Sequence, residues 1–109
     1  MRSITIELDK PRRLRFDFNA LADLEDKAGV GMGSLVSGSR MGFNTIRLLL
    51  WAGLKWEDKS LTVAGVGDIL QGYLEGNGSL ETVSKFIETA MMTSGILGKE
   101  GNAGTEAAK

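Results

Sequence analysis

The stretch FNTIRLLLWAGLKWED, residues 43–58, constrains the fold more than any other part of this chain. Ile46, Leu49, Leu50, Gly53 and Leu54 recur at the i, i+3, i+4, i+7, i+8 spacing of one helix face, and Asn44 stands where a cap is expected. Leu48, Trp51 and Ala52 lie outside that stripe and widen the apolar surface well past a single face. Such a helix is either central and packed on two sides, or half exposed toward a partner; the central placement is the ordinary one. The remaining elements must be arranged around it.

Upstream, SITIELDKPRRLRFDF reads as a hairpin over residues 3–18. Ile4, Ile6 and Leu8 alternate with polar residues, and Leu14, Phe16 and Phe18 do the same after a turn at Asp9, Lys10 and Pro11. Glu7, Arg13, Arg15 and Asp17 fall on the polar face, with Arg12 in the turn region. These charges suit an acidic partner or the protection of an exposed strand from stray pairing, and edge protection is the simpler account. A helix over 19–28 follows, with Asn19 as N-cap and Leu21, Leu24 and Ala28 as its buried stripe. Asp23 and Lys27 form an acid-first i, i+4 pair, and Gly29 sits where a left-handed C-terminal residue is usual. Residues 30–42, rich in glycine and serine, read as a loop with a short helical turn around Leu35.

After the central helix at 44–57, Thr62 caps a helix over 62–75 with Val66, Ile69, Leu70 and Tyr73 as its stripe. Gly65, Gly67 and Gly72 weaken it by about 1 kcal/mol each relative to alanine. EGNGS makes a turn, and Ser79 caps a last helix over 79–94 that buries Val83, Phe86, Ile87, Ala90 and Met91. The expected class is therefore α+β, an N-terminal β-hairpin followed by a bundle of about four helices, in one domain over residues 1–97. Residues 98–109, small and charged without an apolar period, are expected to be a disordered tail.

Composition narrows the chemistry. The 109 residues include no cysteine and no histidine, which removes thiolate nucleophiles, zinc sites built on those ligands and the side chain best suited to proton transfer near neutral pH. A net charge of −1 provides no global field toward nucleic acid or an anionic membrane. The longest apolar stretch, residues 48–54, is far shorter than the ~20 residues of a membrane span, and the N-terminus lacks the layout of a signal peptide, so a cytoplasmic protein is expected.

The candidate sites are few. Gly29, Gly31 and Gly33 follow a helix, whereas a phosphate cradle needs glycines that follow a strand and open one; GVGDIL at 65–70 lacks the lysine and hydroxyl of a phosphate loop. Asp23, Glu25 and Asp26 read as solvated acids on a polar helix side rather than an acid–base pair. No residue is assigned to catalysis, a cofactor or a metal. Trp51, Trp56 and the methionines remain, since aromatics and methionines are enriched where proteins meet partners. Trp51 is favoured as core, Trp56 lies at a helix end, and Met92 falls one position off the last helix's stripe. Leu48, Trp51, Trp56 and Met92 are thus the partner-binding candidates, for a client or for self-association into a homo-oligomer.

This order of elements resembles the tail assembly chaperones of long-tailed bacteriophages, the family that includes the gene-transfer-agent member. RLRFDFNALADLEDKAGVGMGSL is similar to that family's strand, alanine-leucine, leucine-glutamate and glycine signature, here Leu14, Phe16, Ala20, Leu21, Leu24, Glu25 and Gly29. LLLWAGLKWEDKSLT is similar to its second block, at Ala52, Gly53, Leu54, Leu61 and Thr62. The likeness spans residues 3–97. It implies a non-enzymatic protein of the host cytoplasm that binds the tape measure protein, keeps it soluble, helps recruit tail tube subunits and is absent from the mature virion. In many phages a ribosomal frameshift also yields a longer form of such a chaperone, whose extra domain recruits tail tube protein, and the stretch from Gly98 is where such a form would diverge. Two rivals come from other classes. One is a small nucleic-acid-binding regulator using residues 62–94 as a helix–turn–helix, although Glu81, Lys85 and Glu88 give that helix few cations for phosphate. The other is an enzyme subunit or non-catalytic adaptor of another complex, which predicts a ligand pocket.

Overall fold

The computed structural model describes residues 3–29, 31 and 42–94. In chain order they form β1 (Ile4–Glu7), β2 (Pro11–Leu14), α1 (Phe18–Ala28), α2 (Phe43–Leu54), α3 (Val63–Glu75) and α4 (Leu80–Ser94). The chain is α+β: an antiparallel hairpin followed, among the described residues, by four helices. The expected tail from residue 98 and the helical turn near Leu35 lie outside the described residues.

The hairpin pairs Ile4 with Leu14, Thr5 with Arg13, Ile6 with Arg12 and Glu7 with Pro11. Arg13 directs its backbone away from β1: its N–H donates to Glu57 Oε1 at 3.2 Å, and its carbonyl oxygen accepts the Trp56 indole N–H at 3.0 Å. Antiparallel pairs alternate between hydrogen-bonded and non-bonded types, so Thr5–Arg13 and Glu7–Pro11 are the non-bonded ones. Pro11 therefore opens β2 where the ladder asks for no donor, and the sequence reading that placed Pro11 and Arg12 in the turn is corrected. The Arg15 N–H donates to the Gly53 carbonyl at 2.9 Å. Gly53, Trp56 and Glu57 together cover the outer edge of β2, so this edge is protected by pairing as well as by charge.

Asp17, not Asn19, caps α1. Its backbone is still extended, and its Oδ1 accepts the Ala20 N–H at 2.8 Å. The chain turns directly after the buried Phe16, so Phe18 becomes the first helical residue and stands 73% exposed instead of continuing the hairpin's apolar face. Ala20, Leu21 and Leu24 face the core, and Gly29 ends the helix at φ 79°, donating its N–H to the Glu25 carbonyl at 2.8 Å.

α2 is the centre of the molecule, packed against β2, α1, α3 and α4. It buries Ile46, Leu48, Leu49, Leu50, Ala52, Gly53 and Leu54, which explains an apolar surface wider than one stripe. Gly42 rather than Asn44 occupies its N-cap, without a side-chain bond; Asn44 lies in the first turn and accepts from Arg47 at 2.9 Å. The helix stops at Leu54, short of residue 57, because the Glu57 and Asp58 N–H groups both turn back to the Leu54 carbonyl. Thr62 caps α3 through the Gly65 N–H at 2.9 Å, and Ser79 precedes α4 with its Oγ accepting the Thr82 N–H at 3.2 Å. Val66 and Leu70 of α3 and Val83, Ile87, Ala90 and Met91 of α4 close the core, with Ile69, Tyr73 and Phe86 half-buried.

Candidate partner-binding surface

The four residues proposed from sequence have three settings. Leu48 is only 6% exposed, so it is corrected from surface to core: α2 is packed against β2, α1, α3 and α4, and Leu48 lies among the residues it buries there. Trp51 is half-buried, donates its indole N–H to the Leu61 carbonyl at 3.3 Å and has the Lys27 and Lys55 ammonium groups 5.6 and 5.5 Å from its ring centre. Lys55 in turn pairs with Asp23 at 2.6 Å, a tertiary contact that replaces the Asp23–Lys27 pair expected within α1. Trp56 is also half-buried, bonded to Arg13 and covered by the Arg15 guanidinium 4.1 Å above its ring. Both indoles are thus engaged inside the fold. Met92, 73% exposed on α4, is an apolar side chain at the surface.

A surface the sequence reading did not single out lies between α2 and α3. Phe43, Ile46 and Arg47 of α2, Leu70 and Leu74 of α3 and Leu80 at the start of α4 line a groove of about 500 Å³. Its rim is apolar and uncovered: Phe43 is 79% exposed and Leu74 is also exposed. A signal was present in the spacing. Val66, Leu70 and Leu74 continue one i, i+4, i+8 row, and Phe43, Ile46 and Leu50 another, so two apolar rows run past the end of the core. Met92 does not join them, since it is twelve residues beyond Leu80, about 18 Å along α4.

The charged groups form a separate cluster at the hairpin. Arg12, 7% exposed, donates Nε and Nη2 to the two Asp9 carboxylate oxygens at 2.7 and 2.8 Å and reaches Asp58 at 3.5 Å. The hydrogen bonds from Arg12 hold the Asp9 carboxyl below the usual range, and Asp9 raises Arg12 further. Asp58 is held low first by the Ser60 hydroxyl and N–H and then by Arg12, while Arg13 lowers Glu57. Every one of these acids faces a cation or a donor that favours its charged form, the arrangement of a structural clamp.

Among the described residues, no three acidic side chains gather closely enough to hold a metal ion, and no helix is long and apolar enough to cross a membrane. α3 carries no lysine or arginine, and the Lys85 of α4 stands 4.0 Å from Glu81, so the α3–α4 pair presents little positive charge to a phosphate backbone. No family model, no curated protein and no solved structure matches the chain.

Proposed function

We propose that this chain is a non-catalytic tail assembly chaperone of a long-tailed bacteriophage. It binds the tape measure protein, keeps it soluble in the host cytoplasm, helps recruit tail tube subunits and leaves before the virion is complete. The observation that carries the reading is the uncovered apolar groove between α2 and α3, with Phe43 and Leu74 at its rim. A holder of an insoluble client needs apolar surface offered to it and no reactive group, and exposed apolar patches of this kind mark sites of association. The fold has the hairpin-then-helices order on which the resemblance rests, and the resembling residues have structural tasks: Leu14, Phe16, Ala20, Leu21, Leu24, Ala52, Gly53 and Leu54 are buried, and Thr62 caps a helix.

Co-expression tests this reading. The tape measure protein produced alone should sediment with the insoluble fraction, and produced with this chain it should remain in the supernatant and co-purify. A tape measure protein that is soluble alone, or that fails to co-purify, contradicts the assignment.

A further inference from the structure

The groove restricts the chemistry of what it holds, an inference that rests on reading it as a docking site. We propose that its occupant is an amphipathic helix bearing a carboxylate beside its apolar side chains, and that Arg47 selects for that carboxylate. The walls come from α2, α3 and the first residue of α4, so they are helical and present no strand edge. An extended segment lying there would find no edge to pair with, whereas a helix satisfies its own backbone and offers side chains at i, i+4 and i+7 to a furrow between two helices.

Charge sets the second requirement. Among the described residues the lining contains one cation, Arg47, and no anion. Arg47 is half-buried as a residue, donates from Nη2 to the neutral Asn44 Oδ1 at 2.9 Å, and has a covered Nε without an acceptor. No carboxylate of the described residues lies within ion-pair distance of it. Its stem lies across α3 at Gly67, where an added Cβ would come 3.3 Å from Arg47 Cδ, so the glycine gives the arginine its place in the wall. A planar guanidinium with spare donors in an apolar wall is best matched by a carboxylate.

The probe is an alanine- and glutamine-based helical peptide with leucines at i, i+4 and i+7 and one glutamate at i+3, alongside its glutamine twin. Titrated into the full chain and followed by amide and arginine Nε resonances, the glutamate peptide should bind about tenfold tighter than the twin. It should shift the signals of Arg47, Gly67 and Leu74. In Arg47→Gln the two peptides should bind alike, with Arg47→Lys between. Equal affinity of both peptides for the unaltered protein overturns the selectivity without any variant, and shifts centred elsewhere overturn the site. Groove resonances that move on dilution of the protein alone show a second copy as occupant and also overturn it. Capture of the tape measure protein together with equal peptide affinities defeats only this inference. A selective groove that does not hold the tape measure protein defeats only the chaperone reading.

Discussion

Gly53 lies so close to Phe16 that a Cβ added to it would stand 2.9 Å from the ring's Cζ and 2.8 Å from Leu14 Cδ2. The central helix and the exit of the hairpin meet here, backbone against ring, and the Gly53 carbonyl accepts the Arg15 N–H at this contact. Helix propensity alone favours alanine over glycine by about 1 kcal/mol. Close packing opposes it, because overfilling a core costs ~1–3 kcal/mol and here the neighbours are two fully buried side chains. Gly53→Ala should therefore lower the unfolding midpoint in urea, and a rise would show that α2 and the hairpin are free to separate.

The start of α1 gives a paired comparison. Asp17→Ala removes the bond to the Ala20 N–H and should cost about 1 kcal/mol, whereas Asn19→Ala should change stability by less than about 0.5 kcal/mol. Equal losses measured by chemical denaturation would return the cap to Asn19.

Leu48 and Met92, both offered by sequence as contact residues, should separate cleanly. Leu48→Ala opens a cavity in the core and should cost about 2–5 kcal/mol, while Met92→Gln should stay within about 0.5 kcal/mol of the unaltered protein. Thermal unfolding of the two variants decides between core and surface for each.

Acid should destabilise the fold through the hairpin clamp. Asp9, Glu57 and Asp58 are all held below their ordinary ranges, so their contribution is complete above the unfolded values near 4 and is lost as pH falls through the lower folded ones. Urea midpoints should fall between about pH 5 and pH 2. Arg12→Met should flatten that fall, since Asp9 loses the main cause of its depression and Asp58 a lesser one. An unchanged slope in the variant would remove the clamp from the account.

The sequence made the fold legible where period and chemistry agreed. The stripes of α2 and α4, the Thr62 cap and the left-handed Gly29 could be read directly, because each depends on residues close in sequence. Asp17 was missed because a strand-like alternation runs on to Phe18, and only the burial of Phe16 decides where the chain turns. Arg12 was misplaced for a related reason: its pairing opposite Ile6 and its contact with Asp58, 46 residues away, leave no local signal. The groove was missed because exposure is not periodic. Phe43 and Leu74 belong to apolar rows, and nothing local says that those rows extend beyond their neighbours. The residues behind the resemblance mark the junction of hairpin, α1 and α2, so they report the scaffold and are silent about its surface.

The proposed role places the tape measure protein in the groove between α2 and α3. Its most direct test is recovery of co-expressed tape measure protein in the soluble, co-purified fraction with a Phe43→Ser, Leu74→Gln double variant, compared with Met92→Gln and the unaltered chain. Both altered rim residues are exposed, so the double variant should fold normally by circular dichroism. The double variant should lose most of the client while Met92→Gln retains it; full recovery with the folded double variant would overturn the proposed role.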